Sequence, residues 1–284
     1  MSAGAPTAGR LLGSWTLDGL TLAALVALGG LYLLGALRLR LRLRGRWSPA
    51  RTCSFMGGLL ALAFALLSGI DTYADRLLSV HMVQHLLLML VAPALLLLGA
   101  PLRLLLLAGP SAARRIARHP IGSRSLLAVT SPALGLFCFA LAVLVFHLSG
   151  LFELALRDGT VHALEHCVYV AAGLLLLAPL IGADPLPRKV SAIARVGWLL
   201  AAMTVMAIPG ALLAFDPSVR YRAYVAPARA LGRSALADQH LAGVIMWIGG
   251  SAFMLVLALA LAMRAMVAEE RRQRRRERYG ALRA

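Results

Sequence analysis

The chain has 284 residues, of which 60% are hydrophobic and 14% are charged, and its mean hydropathy is +0.80. Soluble domains are about half apolar and about a quarter charged, so this composition excludes an ordinary soluble fold. The net charge of +17 is compatible with nucleic-acid binding, but in an apolar chain basic residues are more typical of cytoplasmic loops and of contact with anionic lipids. We therefore expect the lipid bilayer as a partner and no nucleic acid.

The apolar residues lie in long runs, and a run of about 20 residues is what crosses the hydrocarbon core of a bilayer. Polar breaks rich in proline and glycine, such as Ser48-Pro49, Gly109-Pro110 and Asp216-Pro217, separate these runs. The predicted spans cover residues 17–37, 53–70, 79–100, 128–150, 161–182, 192–215 and 239–263. The sequence therefore predicts an all-α integral membrane protein, folded as a seven-helix transmembrane bundle.

Basic residues are distributed unevenly between the two sides of the membrane that these spans define. Of the 29 lysines and arginines, 22 lie in or beside the loops after the first, third and fifth spans, or after the seventh span. Cytoplasmic loops carry the excess of basic residues, which places the N-terminus outside and the C-terminus in the cytoplasm. This predicts an extracytoplasmic N-terminus at 1–16, a transmembrane domain at 17–263 and a basic cytoplasmic tail at 264–284.

Six of the seven histidines fall near the outer ends of the predicted spans, and only His119 lies on the cytoplasmic side. His81 and His85 on the third span are four residues apart, as are His162 and His166 on the fifth. Residues with this spacing share one face of a helix, so each pair can present two imidazoles to one ion. A single histidine at a membrane interface is usually an ordinary polar residue, but six at one depth favour a functional site. The predicted metal ligands are His81, His85, His147, His162, His166 and His240.

Four side chains close to the histidine pairs are candidates for supporting roles. Sulfur ligands select for Cu(I), which makes Met82 and Cys167 candidates, although each is turned by about 100° from the adjacent histidine. Met89 follows the first pair on nearly the same face, as either a soft ligand beneath the histidines or ordinary core packing. Glu165 either orients a histidine, takes up a proton or is solvated at the helix end.

Other chemistries share parts of this pattern. The stretch from His162 to His166 matches H-x-x-E-H, in which two histidines bind zinc and the glutamate is the base of a protease, but the sequence shows neither a third ligand nor a substrate cleft. Histidines on different spans can also bind a haem from its two sides. The sequence contains no Walker loop, dinucleotide fingerprint or nucleophile elbow. We therefore expect a binding protein and not an enzyme.

Four stretches carry a resemblance to a known family. They are His81-Met-Val-Gln-His85, Ala92-Pro-Ala-Leu-Leu-Leu-Leu-Gly-Ala-Pro101, His162-Ala-Leu-Glu-His166 and Ala237-Asp-Gln-His-Leu-Ala-Gly-Val-Ile-Met-Trp247. From about residue 50 to 260, their order and spacing resemble the multi-pass CtaG family of cytochrome c oxidase assembly factors. The resemblance implies a bacterial inner-membrane factor that matures a haem-copper oxidase at a copper centre.

The same resemblance ranks the candidate site residues. By position it carries over the two histidine pairs first, and then His147 and Asp238. His240 stands where glutamine is common in the family. We therefore expect the histidines to bind copper, as Cu(I), and to pass it to subunits of a haem-copper oxidase, with other copper chaperones as further partners. The alternatives are a haem-binding membrane protein and a copper transporter.

Overall fold

The computed structural model describes residues 7–16, 18–41, 47–118, 127–128, 130–184 and 190–281. These residues form helices joined by turns, and no strand occurs among them. Several features used in the sequence analysis lie outside the described residues. They are residues 1–6, Arg42, Arg44, Arg46, His119, Arg124, Arg188, Lys189 and Arg283.

Six helices within the described ranges are long and apolar enough to cross a membrane, by their length and composition. A seventh apolar helix, Pro132–Leu148, is shorter, with 17 residues. We number them in chain order: α1 Gly19–Leu41, α2 Pro49–Leu67, α3 Leu78–Ala108, α4 Pro132–Leu148, α5 Gly159–Ile181, α6 Ala192–Phe215 and α7 Ala235–Arg278. The chain is therefore a multi-pass helical membrane protein, and each numbered helix overlaps one predicted span.

Local signals decide where several helices begin. Pro49 and Pro132 occupy the first turns of α2 and α4, where the N–H that proline lacks would have no helical partner. For this reason α4 begins at Pro132 and not at residue 128, as hydropathy predicts. Asp158 caps α5, because its carboxylate accepts a hydrogen bond from the Thr160 N–H at 2.8 Å. The cap places His162 in the first turn of α5.

The third helix is longer and less regular than predicted. At residue 100, where the span was predicted to end, Ala100 adopts a left-handed φ of 51° and a further helical segment then runs from Pro101 to Ala108. A π-helical turn at Leu87–Val91 precedes Pro93, which has no N–H to donate to the carbonyl of Met89 four residues earlier. The Met89 carbonyl therefore cannot accept the i+4 hydrogen bond of a regular α-helix.

The last helix also departs from its predicted bounds. It contains a second π-helical turn at Ile245–Gly249 and continues beyond the predicted end at residue 263. In this extension Arg274 forms an ion pair with Glu270, four residues earlier. Pairs with this spacing support a solvated helix, which explains why α7 continues after its apolar stretch ends.

Within the described part of the chain, the helices pack around two main apolar cores. The larger lies among α3, α4, α5, α6 and α7 and includes Met89, Phe139, Leu176 and Met206, each at most 1% exposed. The smaller core joins α1, α2 and α3, and α1 is peripheral, with only 11% of its apolar stretch buried. A third, smaller cluster contains Ile70, Tyr73, Leu77, Val80 and Ala228.

The helices α3, α5 and α7 begin at the end of the bundle where α4 and α6 finish. The ring of His85 on α3 contacts the rings of His147 on α4 and His166 on α5, and α7 contacts Ser79 of α3 and the carbonyl of Asp216 after α6.

Candidate metal centre

His81 and His85 lie in the interior, in the first turns of α3. His81 is fully buried and His85 is 3% exposed. As their i, i+4 spacing requires, the rings meet, and their Nε2 atoms are 2.7 Å apart. The start of α3 is fixed by another helix, because the carboxylate of Asp238 on α7 accepts a hydrogen bond from the Ser79 N–H at 3.2 Å. Asp238 thus supplies the cap that the residue preceding α3 does not.

Glu165 of α5 completes a compact group of three donors. Its side chain is fully buried, and its Oε1 lies 3.8 Å from Nε2 of His85. One donor atom from each of His81, His85 and Glu165 lies within 4.8 Å of the other two. Buried charges are normally paired or bound to metals, since an isolated buried carboxylate is costly. The arrangement is one that a metal cation would stabilise.

The second histidine pair reaches the same region from α5. The ring centroids of His162 and His166 are 4.2 Å apart, and the His162 ring is 5.3 Å from the ring of His81. Both side chains are half-buried, unlike the first pair. The two pairs therefore lie side by side, one on α3 and one on α5.

His147 joins the group from the last turn of α4. Its ring centroid is 6.0 Å from that of His85, and it is 2% exposed. Its Nδ1–H donates to the Val143 carbonyl at 2.9 Å, which leaves the lone pair on Nε2. Phe152, in the short helix between α4 and α5, packs against both His81 and His147, with ring centroids 5.0 and 5.5 Å away. Five predicted histidines, from three helices, are thus brought together.

Tyr224 determines which ring nitrogen of His81 carries the lone pair that can bind a metal ion. This tyrosine lies between α6 and α7, and its hydroxyl donates to the Ala74 carbonyl at 3.0 Å. Burial raises the pKa of the phenol well above its ordinary value, so the hydroxyl keeps its single proton at neutral pH. Because that proton is already donated to the Ala74 carbonyl, the hydroxyl can only accept from His81, and it accepts a hydrogen bond from Nδ1–H at 2.8 Å. The lone pair of His81 is therefore on Nε2, the nitrogen that faces His85.

Several buried side-chain nitrogen and oxygen atoms at the centre, each able to bind a metal ion, have no hydrogen-bond partner within the described part of the chain. They are His85 Nδ1, His147 Nε2, His162 Nε2, His166 Nε2 and both carboxylate oxygens of Glu165. Leaving one buried polar atom without a partner costs about 1–3 kcal/mol, and native proteins contain few of them. Imidazole nitrogens and carboxylate oxygens are also standard metal ligands. The residues of this centre therefore fit a bound metal ion.

The remaining candidates occupy other positions. Met82 and Met89 are each 1% exposed and lie in the larger apolar core. Cys167 is exposed. His240 lies on α7, where its Nε2–H donates to the Asp216 carbonyl at 2.9 Å, and it makes no ring contact with the other five histidines among the described residues.

Four aromatic residues that frame the histidines were not predicted: Phe152, Tyr169, Tyr221 and Tyr224. The ring of Tyr169 lies 4.5 Å from that of His85, and the Tyr221 hydroxyl donates to the His147 carbonyl at 3.0 Å. The sequence contained one feature that could have identified two of them: Tyr221 and Tyr224 are three residues apart in the loop between the sixth and seventh predicted spans. The packing of this loop against the histidines, in contrast, depends on the tertiary fold.

An apolar helical bundle that encloses histidines and a glutamate at one end defines a class: a multi-pass membrane protein with a candidate metal centre. Residues 30–268 match the cytochrome c oxidase caa3 assembly factor family (Caa3_CtaG), and the chain belongs to this family. The resemblance stated from the sequence is thereby confirmed. No solved structure matches the chain.

Relatives with similar sequences occur in mycobacteria. The chain is 32% identical over 250 residues to uncharacterized proteins of Mycobacterium bovis and Mycobacterium tuberculosis, which covers 85% of this chain and 38% of each relative. An uncharacterized protein of Mycobacterium leprae is 28% identical over 264 residues, covering 90% of this chain and 40% of the relative. The chain therefore spans about two fifths of the length of these relatives.

Proposed function

We propose that this chain binds copper at its histidine centre and delivers it to a haem-copper oxidase during assembly. The observation that carries the proposal is the buried group of His81, His85 and Glu165, whose donor atoms lie within 4.8 Å of one another. The two Nε2 atoms are 2.7 Å apart, and an ion bound by both would replace this contact. His85 would then carry its single proton on Nδ1, because a neutral imidazole keeps one N–H. Membership of an oxidase assembly family supports copper as the metal.

The donor set is compatible with copper delivery. Imidazole suits copper, and a delivery protein needs ligands that hold the ion and then exchange it. Sulfur does not contribute to the group of three, so selection for copper would depend on the imidazoles and their geometry. We assign Cu(I) as the transported state, and neither binding nor release requires a catalytic base. On this proposal the protein is not an enzyme.

The proposed topology has seven spans, with the N-terminus outside and the C-terminus in the cytoplasm of a bacterial cell, in the inner membrane. The excess of basic residues on one side of the helices supports this orientation. It exposes the histidine end of the bundle to the extracytoplasmic side, where oxidase subunits and other copper chaperones would dock. Alkaline phosphatase inserted between α6 and α7 should then be active, and the same enzyme fused after residue 284 should be inactive.

Metal analysis of the purified chain tests the function directly. We expect copper in the wild type and its loss in a His81→Ala, His85→Ala double variant, because the inner pair supplies two of the three closest ligands. His240→Ala is the matched control, since it removes a histidine whose ring nitrogen bonds to a backbone carbonyl. Electron paramagnetic resonance reports Cu(II), and X-ray absorption reports Cu(I). Wild-type protein without copper in either oxidation state would refute the proposal.

The two alternatives give distinct results in the same preparation. A haem protein would show a Soret absorption band after purification. A transporter would accumulate copper inside liposomes into which it is reconstituted. If the protein does not retain copper at the histidines, a Soret band would favour the haem protein and copper uptake would favour the transporter, each in place of copper delivery.

A further inference from the structure

The histidine centre contains more donors than one ion uses. Copper and zinc ions are commonly held by about three or four protein side chains. Here five imidazoles and one carboxylate are brought together, and donor atoms on His147, Glu165, His162 and His166 have no hydrogen-bond partner within the described ranges. A single ion would leave some of these buried atoms without a partner, at a cost of about 1–3 kcal/mol each.

The donors also separate into two groups in space. His81, His85 and Glu165 form the group whose donor atoms lie within 4.8 Å of one another, and His162 and His166 are not members of it. The rings of the second pair also lie close together, with centroids 4.2 Å apart, and the Nε2 of each ring has no hydrogen-bond partner among the residues that the structure describes. Two histidines four residues apart on one helix are a known way to bind a metal ion.

The two groups differ in their access to solvent. The residues His81, His85 and Glu165 are at most 3% exposed. His162 and His166 are half-buried, and they follow an exposed stretch at Asp158–Thr160, where α5 begins. The imidazole rings of the pair on α5 are therefore closer to solvent than those of the pair on α3, although the Nε2 atoms of both outer rings are buried.

We propose that His162 and His166 form a second metal site, which receives a copper ion and passes it to the inner site of His81, His85 and Glu165. This inference rests on the proposed function and adds a separate site and an order of loading. The 5.3 Å separation of the His162 and His81 rings brings the two sites next to each other. Transfer is a ligand exchange: bonds from the ion to the outer imidazoles break as bonds to the inner imidazoles form, and the oxidation state does not change. Water would fill any coordination position that the two outer imidazoles leave open.

Copper stoichiometry tests the second site. The purified full-length chain is titrated anaerobically with Cu(I) against a chromophoric chelator, and bound copper is then counted by elemental analysis. The wild type and the His240→Ala control should each bind about two copper ions per chain. His162→Ala, His166→Ala should bind about one, with slower loading and slow release to the chelator. His81→Ala, His85→Ala should also bind about one, which the chelator removes faster from the half-buried outer pair.

The possible outcomes distinguish failure of the second copper site from failure of the proposed copper-delivery function. Wild-type protein with one copper ion, lost in both double variants, would show one shared site and overturn the inference while the function survives. The same conclusion follows if the inner-pair variant loses all of its copper. Wild-type protein that binds none refutes the function itself. Helix content and a monodisperse elution profile check folding, and His166→Gln replaces the outer double variant if that variant aggregates.

Discussion

The histidine end of the bundle and the apolar interior beneath it are held together by different interactions. At the histidine end, polar side chains connect separate segments. The Gln84 amide, fully buried on α3, donates to the Ala65 carbonyl and to the Asp71 carboxylate, each at 2.8 Å. The Asp238 carboxylate accepts a hydrogen bond from the Ser79 N–H at the start of α3, and Tyr224 connects the α6–α7 segment to His81.

In the interior, the helices rely on close contact between backbones. A Cβ at Gly173 of α5 would lie 2.1 Å from the Met89 carbonyl oxygen, beside the π-helical turn of α3. Lipid tails are as apolar as leucine, so helices in a bilayer associate through tight packing and hydrogen bonds and gain little from the hydrophobic effect. The comparison implies that changes in the interior alter the fold, whereas changes at the histidine end alter the geometry of the metal ligands.

Gly173→Ala should have the largest effect, because the added methyl group forces α3 and α5 apart. We expect a loss of about 3 kcal/mol in the free energy of unfolding, together with reduced copper content. The control is Gly197→Ala on α6, where a Cβ meets nothing within 4 Å. That change should be neutral or stabilising by up to about 1 kcal/mol, since alanine favours helices. Denaturation in detergent measures both, and equal losses would contradict the close contact.

Tyr224→Phe should lower copper affinity by about 10–100-fold, the usual effect of losing a group that orients a ligand histidine. Tyr221→Phe is the matched control. Each variant loses one hydroxyl that donates to a backbone carbonyl, at a cost of about 1 kcal/mol, but only Tyr224 also contacts an imidazole nitrogen. Chelator competition gives the affinities, and nitrogen chemical shifts report the His81 tautomer. If both variants bind copper equally well, Tyr224 has no positioning role.

Asp238→Ala should remove the cap on α3 and cost about 1 kcal/mol. Asp238→Asn retains an acceptor oxygen for the Ser79 N–H and should preserve most of the stability. Amide hydrogen exchange at Ser79 to His81 localises the change to the first turn of α3. A loss of protection spread evenly over all seven helices would show that Asp238 supports the whole bundle and not this helix start.

The fold was largely predictable because its signals are local. Hydropathy found every numbered helix, and the i, i+4 spacing identified both histidine pairs, since a helix places such residues on one face. His147 was placed at the correct end by topology alone. The spacing of residues in the sequence does not predict how each helix is rotated about its axis or how the loops pack. For this reason the tyrosines were missed, and the partner of His240, a backbone carbonyl, was not foreseen.

Cys167→Ser tests the rotation of α5 about its axis, and it has the smallest expected effect on copper binding. Cys167 adjoins His166 in the sequence, and its thiol was a candidate Cu(I) ligand, yet its side chain is exposed whereas Glu165 on the other side of His166 is fully buried. Successive residues on a helix are turned by about 100°, so His166 can point into the centre while Cys167 points away. The variant should bind as much copper as the wild type, with unchanged affinity in chelator competition. A lost copper ion would mean that α5 presents a different face to the metal, which would also remove the geometric basis of the outer site.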